Sequence, residues 1–508
     1  MPPSNTETPA TIDLIGEDLL HNIVARLPAT SFASAACVSR SWNLVCERVL
    51  SRPKLASACS FNRSYQAAVE EVLDKVLSEP IRPHFAIVSI GGSYESNNID
   101  SDDDLEILEE ALELITAALG SNVQVITNRP SGIIGRDVFS NEFKEVELGF
   151  GEENDSILLI VGFLPGLKVT TIPLRKKYDE QETFMIDEFV TDIREFSTSV
   201  SGCNSPAAII MFGDEFHGSM MTVMEKMDYA MSPETVIVGD TLSQFRCTNK
   251  AQGGISVAVA LVFAVDRNKP PGIGETQFHA ILSSGLSPVG PTYKATSVIE
   301  KDDYETWIAA RREGSDENID GETILNRVYD EIGDRIRDRQ LCIGVTKKRK
   351  CSINQEKVGC MTSLALHGVC GNYQEYFVVH DIGIKTGDTF RFNFSNTNTA
   401  LSSAAAVSSH LRSLNQGSNN TTGGDKREVF GGLIFTSPDA SFFGQPDVNS
   451  SPFLDNFPGV AFGGTFCSRV IGRSVLTPYI KEFQEPKAVG CCVHAYCAVY
   501  LVMSYTMV

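Results

Sequence analysis

The stretch EDLLHNIVARLPATSFASAACVSRSWNLVCERVL, residues 17–50, decides the fold of the N-terminal part of the chain. Its first third places apolar side chains at the i, i+1, i+4, i+5 and i+8 spacing of one helical face: Leu19, Leu20, Ile23, Val24 and Leu27. Pro28 ends this helix, because proline lacks the N–H that a helix interior needs. The pattern predicts a short amphipathic helix over these residues.

Two more short helices follow in the same stretch. Thr30 or Ser31 can cap the second helix, and Ser39 can begin a third helix that has Trp42 on its apolar side. Three helices of this size bury little surface on their own. We therefore expect some of the apolar surface to meet either a partner or the following domain, and a plain helical cap on that domain is an equally open interpretation.

The remaining sequence predicts a mixed α/β architecture. The chain has 508 residues, which is longer than one hydrophobic core usually supports. Strand-like runs such as HFAIVSIGG and DSILLIVGFL alternate with helical patterns up to residue 265. A helical pattern is predicted around 302–339, and strands return from residue 341. One apolar face of that helical pattern is formed by Ile324, Leu325, Val328, Ile332 and Ile336.

Charge and targeting signals exclude several classes of protein. The formal net charge of -21 argues against nucleic acid, because the summed field repels a phosphate backbone. The N-terminus lacks the apolar stretch of a secretory signal, so we expect an intracellular protein of the cytoplasm, the nucleus or both, with most of its 13 cysteines reduced. Residues 491–508 have nearly the length of a membrane span, but their β-branched and polar residues favour a buried strand.

No motif predicts catalysis, a cofactor or a metal site. A hydrolase needs a nucleophile beside a base, and His217, His279 and the His380-Asp381 pair lack an evident partner in the sequence. Cys491, Cys492 and Cys497 are interpreted as strand residues rather than metal ligands. We therefore expect a non-enzymatic protein without a cofactor.

One apolar loop can be interpreted in two ways. Residues 450–464, SSPFLDNFPGVAFGG, are too apolar for a solvated loop and too rich in proline and glycine for a helix. They can plug the end of a sheet with aromatic side chains, or they can line a ligand pocket. The candidate residues for either role are Asp455, Asn456, Phe457, Phe462, Gly463 and Gly464.

The N-terminal stretch resembles an F-box in the order of its residues. The matching positions are Leu19, Leu20, Ile23, Leu27, Pro28, Phe32, Ala36, Cys37, Val38, Ser39, Arg40, Trp42 and Val45. One departure is Ile15-Gly16, where many F-boxes have Leu-Pro at the entry to the first helix. The resemblance implies docking to an SKP-type adaptor on a cullin scaffold. The adaptor-binding residues that it implies are Leu19, Leu20, Ile23, Leu27, Pro28, Val38 and Trp42.

The rest of the chain resembles the FIST region, a sensory domain with N- and C-terminal parts. The segments that carry this resemblance are SGIIGRD (131–137), GLSPVGPTYKATSV (285–298), TFRFNF (389–394), GGLIFTS (431–437), QPDVNSSPFLDNFPGVAFGGTFCSRVIG (445–472) and HAYCAVYLV (494–502). The resemblance implies an F-box at 11–55, a helical linker at 56–83, and FIST N- and C-terminal domains at 84–300 and 301–508. A polar, glycine-rich insertion at about 416–427 is expected to be mobile.

Together these resemblances imply the substrate receptor of an SCF-type cullin-RING ubiquitin ligase. The FIST region would recruit protein substrates, whose identity the sequence does not give, for ubiquitination and proteasomal degradation. The alternative is a sensor whose FIST domain couples the binding of a small molecule, for example an amino acid, to signalling or protein turnover. No partnership with nucleic acid or membrane is expected.

Overall fold

A computed structural model describes most of the chain. The described residues are 16–91, 102–147, 156–176, 184–213, 220–241, 243–249, 255–301, 305–333, 341–353, 357–380, 383–416, 427–437, 448–473, 490–494 and 496–507. Residues 417–426 of the predicted mobile insertion lie outside them, as do His217, Ile336 and Asp381.

The helices and strands alternate along the chain. The helices are α1 (Glu17–Val24), α2 (Ala29–Ala36), α3 (Arg40–Val49), α4 (Tyr65–Val76), α5 (Asp102–Leu119), α6 (Ile186–Ser201), α7 (Met220–Ala230), α8 (Gly321–Ile332), α9 (Thr397–Gln416) and α10 (Ser451–Leu454). The strands up to residue 300 are β1 (Lys54–Ser60), β2 (Phe85–Gly91), β3 (Gln124–Arg129), β4 (Gly132–Arg136), β5 (Phe143–Glu147), β6 (Ser156–Phe163), β7 (Leu167–Lys176), β8 (Ala208–Gly213), β9 (Val236–Asp240), β10 (Gln244–Cys247), β11 (Ile255–Val265), β12 (Glu275–Ser284) and β13 (Leu286–Glu300). The later strands are β14 (Glu305–Arg312), β15 (Asn318–Ile319), β16 (Leu341–Ile353), β17 (Lys357–Tyr373), β18 (Tyr376–His380), β19 (Thr389–Ser395), β20 (Arg427–Thr436), β21 (Ala461–Phe466), β22 (Val470–Arg473), β23 (Cys491–His494) and β24 (Cys497–Thr506). The mixed α/β fold with N-terminal helices, predicted from the sequence, is confirmed.

The described strands form three sheets. The first has the order β1-β6-β2-β3-β10, and the third has the order β12-β24-β20-β21-β4-β5. The second sheet has the order β15-β14-β13-β19-β16-β17-β23-β22-β9-β8-β11-β7. Apolar side chains from all three sheets pack into one central core, which includes Phe85, Phe212, Phe263, Phe435 and Leu501.

Residues 56–83 are not the helical linker that the sequence predicts. Strand β1 pairs antiparallel with β6 along its whole length, and helix α4 buries Ala68, Val69, Val72 and Val76 against the first sheet. The run KLASACS is short and weakly apolar, so its local pattern does not reveal a strand. Pairing with the fully buried β6 makes it one.

Six strands of the second sheet close into a ring. Strand β18 pairs with both β14 and β17, which completes the circuit β14-β13-β19-β16-β17-β18. Helix α8 packs against this ring with the predicted apolar face, from Ile324 to Ile332. The helical pattern predicted at 302–339 is therefore wrong for β14, where Trp307 and its neighbours alternate between half-buried and buried with the period of a strand.

The predicted domain boundary between residues 300 and 301 falls inside this ring. Strands β13 and β14 form an antiparallel pair in which Glu300 lies opposite Thr306. In addition, β4, β5 and β12 share the third sheet with β20, β21 and β24. The two parts are thus interleaved through shared sheets, because strand pairing depends on distant partners that a local pattern does not reveal.

The apolar residues 491–508 contribute strands β23 and β24, as predicted. Every residue of β24 except Thr506 is buried, and Cys491, Cys492 and Cys497 are buried strand residues. In the described part of the chain, no helix combines the length and the apolar character needed to cross a membrane.

Candidate functional site

The N-terminal helical unit completes a small core of its own. Helices α1, α2 and α3 bury Leu20, Val24, Phe32, Ala35, Val45 and Cys46 against one another. The Ser39 hydroxyl accepts a hydrogen bond from the Trp42 N–H at 3.2 Å and so caps α3, as predicted. Gly16 precedes α1 without a side-chain cap, which fits the departure noted at Ile15-Gly16.

Apolar side chains remain on the outside of this unit. The exposed fractions of Leu19, Ile23 and Val38 are 57%, 43% and 61%. Leu44, which the sequence reasoning did not select, is also exposed. Large exposed apolar side chains on a unit whose core is already filled are candidates for contact with another protein.

The structure divides the predicted adaptor-binding residues into two groups. Leu19, Ile23, Pro28 and Val38 are exposed and can reach a partner. Leu20 is buried, and Leu27 and Trp42 are half-buried against the core of the unit. Leu20 therefore stabilises the helical unit from inside, and the predicted contact surface loses that residue.

The unit is attached to the rest of the molecule through Ala29, Leu50 and Arg52. The Ala29 N–H donates to the Leu77 carbonyl at 2.8 Å, next to α4. Arg52 lies 3.6 Å from Glu428 in an exposed ion pair, at the start of β20. Leu50 packs against both the core of the unit and the core beneath α4. These contacts fix the unit while Leu19 and Ile23 stay in solvent.

The aromatic side chains of the loop at 450–464 pack against one another. Phe453, Phe457 and Phe462 are buried in one core cluster with helix α9. The Phe453 and Phe462 rings stack with centroids 4.2 Å apart and planes 10° apart, and Phe453 lies 5.2 Å from Phe457. The geometry supports the structural interpretation of this loop, in which aromatic side chains plug the end of the third sheet.

Asn456 and the glycines of this loop also contribute to its packing. The Asn456 amide donates from Nδ2 to the Ser408 hydroxyl and to the Pro452 carbonyl, both at 2.8 Å, so it ties α10 to α9. Asp455 is exposed. A Cβ at Gly464 would collide with the Ile434 carbonyl, and one at Gly463 would lie 3.3 Å from the Ile134 carbonyl. These glycines allow β21 to pack closely, and their role as ligand contacts stays a prediction.

Two buried thiols and the imidazole of His279 are poor candidates for catalysis. Burial raises the pKa of Cys497 to about 12 and that of Cys247 to about 11, so both stay as neutral thiols. Burial lowers the pKa of His279 to about 4, and its Nε2 lies 3.0 Å from the Ser504 hydroxyl. Within the described ranges, no three His, Cys, Asp or Glu side chains are grouped as metal ligands.

Comparison with known proteins identifies both parts of the chain. Residues 12–54 match the F-box domain, and residues 100–303 match the FIST N domain. The chain is 40% identical over 519 residues to the F-box/LRR-repeat protein At5g63520 of Arabidopsis thaliana, over 97% of this chain and 94% of that protein. This chain belongs to the F-box protein family. Its F-box is followed by a FIST N domain, as the sequence predicted.

The F-box domain indicates a class of binding partner. It implies that this F-box protein binds an SKP-type adaptor within an SCF complex, and the family typically acts as non-catalytic substrate receptors of SCF ubiquitin ligases. The name of the Arabidopsis relative includes leucine-rich repeats, in which successive strands lie side by side. In this F-box protein β24 instead lies between β12 and β20, which come much earlier in the sequence.

Proposed function

We propose that this F-box protein is the substrate receptor of an SCF-type cullin-RING ubiquitin ligase, and that its FIST region recruits the proteins to be degraded. The exposed group of Leu19, Ile23, Pro28 and Val38 carries the proposal. In this arrangement the F-box docks the adaptor, and the body behind it presents the substrate.

The adaptor contact is supported by the area that it would remove from water. Burying a large aliphatic side chain contributes about 1.5–3 kcal/mol, so Leu19 and Ile23 together can supply a large share of a stable contact. Neither residue belongs to the buried core of the helical unit. Their substitution should therefore change binding with little effect on folding.

The mechanism is proximity rather than covalent catalysis by this chain. The receptor holds a substrate lysine near a ubiquitin-charged enzyme that the rest of the complex supplies, which replaces a rare encounter with a positioned one. The role requires the F-box to be fixed relative to the body, and the contacts of Ala29, Leu50 and Arg52 provide such an attachment.

The docking surface can be tested with the variant Leu19→Asp/Ile23→Asp. Carboxylates placed in an apolar contact lose hydration without gaining a partner, which costs several kcal/mol. We expect the affinity for a purified SKP-type adaptor, measured by calorimetry, to fall at least about a hundredfold. Melting should stay near that of the wild type.

Leu401→Asp provides a matched control. Leu401 is 42% exposed, nearly the same as Ile23, but it lies on α9 in the body. The control should bind the adaptor as tightly as the wild type. Undiminished binding by the folded double variant would refute the assigned surface.

Substrate recruitment can be tested in cells with the same double variant. It keeps the body intact, so it should still associate with substrates but no longer support their ubiquitination. Proteins that bind both forms, and that accumulate only with the variant, are the expected substrates. If no protein behaves in this way, the F-box protein acts on something other than degradation through its body.

The alternative function, sensing of a small molecule, loses its first proposed position. The Asn456 amide and the loop glycines are engaged in packing, as described above.

A further inference from the structure

Besides the parallel pair β17–β23 of the second sheet, each of the three sheets contains one parallel pair of strands, and the carboxyl ends of these three pairs meet at one end of the central core. The pairs are β2–β3, β8–β9 and β20–β21. Most other pairings in the described sheets are antiparallel. Open α/β sheets bind ligands outside the carboxyl ends of their parallel strands.

Backbone hydrogen bonds hold these strand ends together. They run from Ser131 N to Phe466 O at 3.0 Å, from Ser243 N to Gly213 O at 3.0 Å, from Cys467 N to Thr436 O at 2.8 Å and from Thr241 N to Arg469 O at 3.3 Å. The first joins the β3–β4 connection to β21, and the second joins the residue before β10 to the end of β8. The third joins the end of β21 to β20, and the fourth joins the residue after β9 to the segment after β21. The three sheets therefore share one end.

The first sheet places three polar side chains on its inner face at this end. Ser89 lies opposite Asn128, and Gly91 lies opposite Ser156. Because strand side chains alternate, these residues share the face of Ile87 and Leu158, which belong to the central core. Ser89, Asn128 and Ser156 are all buried. The apolar core thus ends in a buried polar layer.

The other two sheets add polar side chains to the same end. Thr465 lies opposite Ile133 and Phe435, both in the central core, so it also faces inward. Asp240 lies opposite Phe212, and its carboxylate accepts a hydrogen bond from the Ser243 hydroxyl. Burial and then the charge of Asp240 raise the pKa of the Cys467 thiol, so this carboxylate lies near the end of β21.

Three of these side chains leave buried atoms without a partner. Asn128 accepts at Oδ1 from the Ser89 hydroxyl at 2.7 Å, but among the described residues its Nδ2 has no acceptor. The hydroxyls of Ser156 and Thr465 are likewise unpartnered. Buried polar groups are nearly always hydrogen-bonded, because an unpaired one costs free energy. Three such atoms at the same end of the central core indicate a binding site for a small molecule.

We propose that Asn128, Ser156 and Thr465 line a site for a small molecule that presents the carbonyl oxygen of an amide or a carboxylate to the Asn128 amide. The Asn128 Nδ2 can only donate, so the ligand must present an acceptor to it, whereas the two hydroxyls can donate or accept. The negative charge of Asp240 favours the neutral amide over the anion. This site does not depend on the ligase role and lies in a different part of the chain from the F-box.

Ser156→Ala and Thr465→Val test the site in the full chain. The probes are a series of primary amides from acetamide to pentanamide and the matching carboxylates from acetate to pentanoate. We expect the amides to raise the melting temperature of the wild type and to leave each variant unshifted. Without a probe, each variant should melt at or above the wild-type temperature, because it removes an unpaired hydroxyl rather than a hydrogen bond.

Thr276→Val is the matched control. Its hydroxyl is also buried and unpartnered, but it lies in β12 opposite Tyr505, at the far end of β24. This variant should keep the full shift by the amides. A larger shift by the carboxylates would assign the oxygen to an acid and retain the site. The proposal is overturned if neither series stabilises the wild type, if the two site variants melt lower without a probe, or if Thr276→Val loses the shift as well.

Discussion

At the scale of single residues, position rather than residue type separates structural from functional roles. Leu20 and Ile23 are both apolar and lie on the same helix, yet one is buried and the other is 43% exposed. A helical pattern cannot distinguish them, because α1 has apolar residues toward its own core and toward solvent. The sequence therefore predicts the group of residues that forms the adaptor surface but not its exact membership.

The packing of the 450–464 loop leads to a prediction for Phe462 and Asn456. Phe462→Ala removes a ring stacked on Phe453 in a filled core, and we expect it to lower the free energy of unfolding by about 3–5 kcal/mol. Asn456→Ala loses hydrogen bonds from a half-buried amide and should cost about 1–2 kcal/mol. Denaturant unfolding measures both. Equal, small losses would show that the aromatic plug is not part of the core.

Buried His494 should make stability depend on pH. Burial lowers its pKa to about 4, below the ordinary value of 6.5. Between these values the unfolded chain binds a proton that the folded chain does not, so stability falls as pH drops from about 6.5 to 4, by up to about 1.4 kcal/mol per pH unit for this group. His494→Gln should reduce that fall when melting is followed against pH.

Exposed His21 provides the control for this comparison. His21→Gln makes the same replacement of histidine by glutamine at an exposed position, away from the buried strand. If His494→Gln and the wild type lose stability in parallel over this range, His494 is already protonated in the folded protein.

At the scale of elements, α4 shows that the region behind the F-box belongs to the body. Val72 is fully buried between α4 and the first sheet, so Val72→Asp should lower the free energy of unfolding by several kcal/mol. Lys75→Asp changes an exposed residue of the same helix and should cost less than about 1 kcal/mol. Similar melting of the two variants would restore the linker interpretation.

The elements also show what the sequence could predict. Strong local patterns were sufficient for α1 to α3, for α8 and for the strand at 497–506. They failed for β1, whose pairing depends on β6, and for β14, which lies inside a predicted helical stretch. The proposed ligand site was missed for the same reason, since Asn128, Ser156 and Thr465 are brought together only by sheet pairing. The sequence does contain a signal for this site, because Asn128, Ser156 and Thr465 are polar residues at or near the ends of otherwise apolar strands.

At the scale of the whole molecule, the matched FIST N segment is not an independent unit. Its strands β4 and β12 pair with β21 and β24, which lie outside residues 100–303. Expressed alone, residues 100–303 should show no cooperative thermal transition and should bind a dye for exposed apolar surface. A sharp transition in this fragment would mean that the shared third sheet is dispensable for its fold.

The position of β24 between β12 and β20 also sets the order in which the protein can be built. During translation β12 leaves the ribosome long before Cys497. The edge of β12 that pairs with β24 therefore stays unpaired until β24 has been synthesised. The helices of residues 17–49 make mostly local contacts, so they can fold before the rest of the chain has been synthesised. A nascent chain that stalls before Cys497 would thus display the adaptor-docking surface beside an unfinished sheet, and could recruit the ubiquitination machinery to itself.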